Sequence, residues 1–220
     1  MKSKILLFLL FGMVVSLAGM QSAQATIIDF ELDYEYSDAT DPAGPTPWLT
    51  ATFDDGDTAG LVTLTLDTDG LVGEEFVTHW VFNFYDPPFG VDDLDIVQKS
   101  GPLANIGQSE DLYEAGPAKG FDILFEFSPA EADSFSKDLT AVFDISGGGI
   151  LAGSFDAFNL TGKEPFIFQT AAHVQGIAPN GENSGWIAPN PNPVPEPATM
   201  LLVGAGLIGL AGFGRRRFKG

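Results

Sequence analysis

The middle of the chain alternates in twos. Leu61-Val62-Thr63-Leu64-Thr65-Leu66-Asp67 sets apolar side chains against threonine and aspartate, and Phe121-Asp122-Ile123-Leu124-Phe125-Glu126-Phe127 repeats the period. A period of two buries one face of a strand and leaves the other in water. Val77 to Tyr85 is rich in aromatic and β-branched residues, and further strands are expected over Ile27 to Leu32, Trp48 to Phe53, Thr140 to Ile145, Ser154 to Leu160 and Phe166 to Val174. Turn material separates them, as at Asp69-Gly70, Asp86-Pro87-Pro88, Gly147-Gly148-Gly149 and Thr161-Gly162. Asp38 to Pro47 reads as a loop, and Pro129 to Asp133 as a single helical turn that Ser128 caps. Some eight short strands joined by glycine-rich turns predict an all-β fold, an antiparallel β-sandwich of jelly-roll kind.

The two ends break this pattern. Lys2 and Lys4 precede an apolar run from Ile5 to Met20, and Ala23-Gln24-Ala25 supplies the small-x-small site that a signal peptidase accepts. Residues 1–25 are therefore expected to be a signal peptide with an apolar N-terminal helix, cut after Ala25. At the other end, Pro195 and Pro197 hold φ near polyproline values and have no N–H to donate, so Val194-Pro195-Glu196-Pro197 is an extended strip open to an enzyme cleft. Ala198 to Phe213 carries no charge. At about 1.5 Å per residue it makes a transmembrane helix of roughly 24 Å, against about 30 Å of hydrocarbon, which suits transient residence in the inner membrane. Ala205, Gly209 and Gly212 recur on one face of that helix, and small faces let helices approach closely in lipid. Arg215, Arg216, Arg217 and Lys219 then hold the end of the chain in the cytoplasm, so everything before the helix is exported.

An extended Pro-Glu-Pro strip, an apolar segment and a terminal basic cluster, in that order, resemble the PEP-CTERM sorting signal of Gram-negative, exopolysaccharide-producing bacteria. The resemblance covers Val194 to Gly220. It implies recognition by an exosortase, a membrane enzyme that cuts near the Pro-Glu-Pro and sends the protein to the cell surface or beyond. Gly60 to Leu64, Phe76 to Phe84, Phe121 to Phe127, and Ala172 to Ile177 followed by Gly185-Trp186-Ile187 resemble a recurrent ectodomain of PEP-CTERM proteins, which brings no activity with it. The expected organisation is a signal peptide over 1–25, a β-sandwich over 26–180, a Pro/Asn-rich linker over 181–193 and the sorting signal over 194–220.

Charge narrows the partners. The exported part, about 170 residues and enough for one domain with a core, keeps only Lys99, Lys119, Lys137 and Lys163 as basic side chains. Against them stand 29 of the 30 acidic residues, for a net charge near −25. Such a surface repels phosphate backbones and anionic lipid, which argues against nucleic acid and favours divalent cations or neutral and cationic partners. The chain has no cysteine, so thiol nucleophiles, thiolate metal sites and disulfides are excluded.

Four kinds of chemistry are candidates. Asp54, Asp55 and Asp57, and Asp67 with Asp69, gather carboxylates on tight turns in the manner of a calcium shell, although neither segment completes a twelve-residue EF-hand loop. Acidic turns also form for purely local reasons, because Asp accepts hydrogen bonds from its own backbone. His79 and His173 each lie in apolar strand-like sequence, which favours packed histidines; brought together with an acid they would suit zinc or proton transfer. No Gly-x-Ser-x-Gly elbow is present. A glycosidase would need two carboxylates about 5–10 Å apart, which spacing alone does not identify. Of the three tryptophans, Trp80 is placed mid-strand, and Trp186, flanked by glycine, is the expected exposed aromatic for contact with a sugar. The expectation is therefore an exported, non-enzymatic surface or matrix protein of structural or adhesive role, with a carbohydrate-binding module of the exopolysaccharide matrix and a carboxylate-based secreted hydrolase as alternatives.

Overall fold

The computed structural model describes residues 25–56, 58–159, 165–177 and 183–191. The expected signal helix, transmembrane helix and basic tail, and with them Ala23 and residues 194–220, lie outside those residues. The compact unit built by the strands ends at Pro189. Its strands are β1 (Ile27–Glu35), β2 (Leu49–Asp54), β3 (Leu61–Asp67), β4 (Phe76–Phe82), β5 (Asp95–Ser100), β6 (Ala104–Ala115), β7 (Ala118–Phe127), β8 (Phe135–Ser136), β9 (Thr140–Ser146), β10 (Thr170–Ile177) and β11 (Asn183–Pro189). The alternation read from sequence is realised directly: β2, β3 and β9 bury every second side chain.

The all-β, antiparallel expectation holds, but the layers differ from a sandwich. Ten strands form one sheet in the order β5-β9-β3-β2-β1-β11-β10-β4-β7-β6, nearly closed into a barrel, with β8 paired to β4 off this path. The continuity depends on β1 pairing both β2 and β11, and on β11 pairing both β1 and β10. In a jelly roll the two sheets would part at such a place. The last strand was the one the sequence concealed: its seven residues fall in the expected linker over 181–193, because Asn, Gly and Pro flank the short apolar run Trp186-Ile187-Ala188. The domain boundary at 180 is corrected accordingly to Pro189. No strand forms over the described part of the stretch expected from Ser154 to Leu160, which ends at Asn159. A 3-10 turn at Ala152–Phe155 stands there, and it serves to drive Phe155 inward, where it stacks on Phe53 at 4.4 Å. The turn expected at Pro129 to Asp133 is present as one Asp133 N–H to Ala130 C=O bond, with Ser128 Oγ accepting from Ala130 N–H.

The sheet's two ends, β5 and β6, are consecutive in the chain, and glutamines bridge them. Gln98 donates from Nε2 to Pro102 C=O at 2.6 Å and accepts from Ala104 N–H at 3.1 Å, while Gln108 on β6 donates to Val91 C=O and Leu94 C=O, both at 3.0 Å, just ahead of β5. Side-chain amides thus take up backbone groups that a fully paired barrel would satisfy with its ladder.

Inside the curl, Trp80, Phe53, Phe82, Phe125 and Phe143 are buried in one cluster. Phe125 on β7 and Phe143 on β9 lie near opposite ends of the strand order, yet their rings are 4.5 Å apart. That contact exists only because the sheet closes on itself. A second, smaller cluster covers the outside of β4, β7, β10 and β11 with Val81, Ala171, Ala188, Tyr36, Phe121 and Phe168. Its buried polar atoms are paired: Tyr36 OH donates to Ala115 C=O at 2.8 Å, and Asn159 donates to Lys119 C=O and Phe166 C=O while accepting from Phe168 N–H. The Asn-Leu-Thr sequence that begins at Asn159 therefore places a buried structural asparagine, fully used by the backbone.

Candidate functional site

The acidic turns are built first by local hydrogen bonding. Asp54 Oδ1 accepts from Gly56 N–H at 2.8 Å, and Asp67 accepts from Asp69 N–H at 2.8 Å and from Thr140 Oγ1 at 3.1 Å. Asp55 is buried, with Oδ1 accepting from Thr26 N–H at 2.6 Å and Oδ2 from Ala152 N–H at 3.2 Å, so it ties the N-terminal strand to the turn that carries Phe155. Asp57 lies outside the described residues. The Asp67 carboxylate pushes the exposed Asp69 carboxyl above its usual range. Among the described residues, no three histidine, aspartate or glutamate side chains are placed to hold one metal ion. Both turns are braced by Asx-type hydrogen bonds.

Around these turns the outer face of β1, β2, β3 and β9 is an array of hydroxyls and carboxylates. Thr50 pairs with Asp67 and Asp67 with Thr140, and Thr52 with Thr65, across adjacent strands. Thr52 Oγ1 donates to Asp29 Oδ1 at 2.6 Å, and Lys99 Nζ lies 3.0 Å from Asp144 Oδ2. Cross-strand donation to carboxylates holds these polar side chains in place.

The two histidines do meet. Register places Trp186, His173, His79 and Glu126 in one row across β11, β10, β4 and β7. A β-bulge, where pairing shifts from His173–His79 to Val174–Val77, turns Thr78 toward the same row. Thr78 Oγ1 is 2.9 Å from His173 Nδ1 and 3.1 Å from His79 Nδ1, so the one hydroxyl proton and one ring N–H join all three groups. His79 Nε2 lies 3.8 Å from Glu126 Oε1. This order of acid, imidazole and hydroxyl ends on Thr78, which is buried at 3% exposure and offers no open nucleophile. Trp186, expected to be exposed, is half-buried: one face stacks on His173 at 4.8 Å, and Gly116 lies so close that a Cβ there would come 2.6 Å from the indole.

Burial, and then the neighbouring His79, pull the His173 pKa down to about 4. The fold thus prefers neutral His173. As pH falls from about 6.5 to about 4, the unfolded chain takes up a proton that the folded one refuses, so this contribution is present above the window and lost through it. The full shift corresponds to about 3 kcal/mol, and partial exposure reduces this to about 1–2 kcal/mol. Urea midpoints of the native chain and of His173→Gln, measured across that range, should converge toward acid pH; parallel curves would contradict the assignment.

A separate concavity, a groove of about 430 Å³, lies elsewhere. Its walls are the chain leaving β4 (Asn83 to Tyr85), an irregular stretch of β6 (Glu110 and Asp111), Asp122 on β7 and the segment from Gly153 to Phe158. Asp122 joins two of these walls, because Oδ1 accepts from Asp111 N–H at 2.7 Å and Oδ2 from Phe84 N–H at 2.9 Å. Burial raises its pKa; the two N–H donors oppose that shift, and the charges of Asp111 and Glu110 add to it. Tyr85 and Phe158 are exposed at 66% and 47%. Asn83 is 1% exposed: its Nδ2 donates to Phe168 C=O and Gln169 C=O, leaving Oδ1 with no partner. None of these residues was singled out from sequence. The one available signal was a polar side chain inside an apolar run, Asn83 within Val81 to Phe84 and Asp122 within Phe121 to Phe125. Their assembly from four distant segments has no sequence signature.

The tail lies outside the described residues, and comparison decides it. Residues 193–217 match the PEP-CTERM protein-sorting motif. The tail is a PEP-CTERM sorting signal. The match spans Val194 to Pro197, the small face of Ala205, Gly209 and Gly212, and the three arginines, and it ends before Lys219. The PEP-CTERM signal marks the chain as an exosortase substrate, exported and sorted to the cell surface. No curated protein and no solved structure matches the chain.

Proposed function

We propose that the barrel-like domain is a structural or adhesive component of the cell surface and extracellular matrix. It is freed from its leader by signal peptidase, held briefly in the inner membrane by the C-terminal helix, and released or transferred by the exosortase. The observation that carries this reading is the sorting motif, which delivers an intensely acidic domain to the outside of the cell. The hydroxyl and carboxylate face of β1, β2, β3 and β9 supports it, since an extended polar, acidic surface suits lateral contact with neutral or cationic matrix polymers. In this reading the domain works by binding and packing, and no cofactor enters it. Asp122 supports a role other than catalysis, because both its oxygens already serve backbone N–H groups.

The test is a deletion in the native host. Loss of the chain should weaken cohesion of the cell-associated matrix, measured by resistance of a surface film to shear. The native chain should restore cohesion and the chain without Pro195 to Pro197 should not. Unchanged cohesion in the deletion strain would end the matrix reading.

A second reading, a carbohydrate-binding module, is favoured by one feature: the groove with Tyr85 and Phe158 at its mouth.

A further inference from the structure

The groove's chemistry is one-sided. Its charged lining groups are the carboxylates of Glu110, Asp111, Asp122 and Asp156, with no lysine, arginine or histidine among them. Carboxylates alone are common on this acidic surface and identify nothing. Asn83 is what distinguishes this place. Its Nδ2 is committed to the 168–169 backbone, so the amide end left for the groove is Oδ1, an acceptor buried without a donor. Leaving a buried acceptor unsatisfied costs about 1–3 kcal/mol, and native structures leave few of them. A ligand that brings a donor recovers that cost. The same ligand meets the exposed faces of Tyr85 and Phe158, which attract cations and the C–H faces of sugar rings. Acceptors, negative charge and aromatic faces together describe the complement of a ring that carries hydroxyls and an ammonium group.

We propose that this groove binds a glycan unit bearing a free amine, a de-N-acetylated hexosamine. The inference rests on the carbohydrate reading and narrows it to one class of sugar. The ammonium sits among Glu110, Asp111 and Asp156, a hydroxyl or N–H donor reaches Asn83 Oδ1, and the ring lies against Tyr85 or Phe158. Asp122 acts as a positioning residue, since it pins Phe84 on one wall to Asp111 on the other. The volume of about 430 Å³ falls in the range of about 300–1,000 Å³ typical of small-ligand sites. N-acetylation would remove the positive charge and place a carbonyl, a further acceptor, among acceptors.

The experiment uses the full chain purified in detergent, with glucosamine oligomers and their N-acetylated counterparts as probes in isothermal titration. The free-amine oligomer should bind at least about tenfold more tightly than the acetylated one, with affinity falling as salt is added. Tyr85→Ala, Phe158→Ala and Glu110→Gln change exposed side chains and so leave the fold intact. Each should weaken binding about tenfold, the scale of one cation–π contact or charged hydrogen bond. Asp29→Asn with Asp144→Asn, on the polar face of β1 and β9 and outside the groove lining, should leave it unchanged. Equal binding of both oligomers would overturn the amine inference while keeping the carbohydrate reading. Failure of both oligomers to bind would overturn both. Binding lost equally through Asp29→Asn with Asp144→Asn would assign it to diffuse charge, which also overturns the groove.

Discussion

Replacing Pro195, Glu196 and Pro197 together by alanine should abolish surface delivery, with uncleaved chain accumulating in the inner membrane. Proline supplies no N–H and favours polyproline φ values, so two of them beside Glu196 suit a strip that an enzyme cleft reads. Alanine removes both constraints and has the highest helix propensity. The measurement is fractionation of cells that produce the variant, read against the native chain. Protease-accessible protein at the surface should fall to background while total protein is unchanged. Normal delivery of the variant would show that the exosortase does not depend on these three residues, and would remove the basis of the sorting claim. Arg215, Arg216 and Arg217 replaced together by glutamine provide a different signature, since loss of the positive cluster weakens topology rather than recognition.

Trp80→Ala should cost the domain about 3–5 kcal/mol, the range for deleting a large buried aromatic. Trp80 is 0% exposed at the centre of β4, stacked with Phe82 at a ring separation of 6.1 Å and packed near Phe135 at 6.5 Å. Its Nε1 donates to Thr170 Oγ1 at 3.0 Å, and that hydroxyl donates in turn to Val81 C=O at 2.7 Å. Truncation leaves Thr170 still bonded to Val81, so the loss is chiefly the cavity and the ring contacts. Domains of this kind have about 5–15 kcal/mol in total, which places the variant near the edge of folding. Urea titration followed by far-ultraviolet circular dichroism gives the difference directly, and Trp80→Phe, which keeps most of the ring, should lose less than half as much. A loss below about 1 kcal/mol would mean that the interior repacks around the hole, against the density expected of a closed sheet.

These two sites differ in how they were found. The sorting tail is a one-dimensional device, a Pro-Glu-Pro strip, an apolar segment and a basic cluster each recognisable by composition. Its parts therefore stand in sequence order and are legible there. Trp80 was placed mid-strand by the same kind of local reasoning, because period two and aromatic content describe a buried strand. The groove is different in kind. Asn83, Glu110, Asp122 and Phe158 come from separate strands and turns, and each alone reads as an ordinary polar or aromatic surface residue. Trp186 shows the converse. Its glycine neighbour, Gly185, suggests exposure, yet Gly185 belongs to a strand inside the sheet, and the adjacent strand supplies His173 as a cover.

What the sequence by itself determined was the address and the strand content, since export, sorting and alternation are each written in a few consecutive residues. The tertiary structure decided how the strands join. A two-sheet sandwich and a curled single sheet use the same alternation, and only the pairing of β11 with both β1 and β10 makes the sheet continuous. The curled sheet brings Phe125 to Phe143 across the interior, and the pairing of β10 with β4 sets His79 beside His173 in its wall. Such contacts depend on long-range register, which local periodicity does not encode.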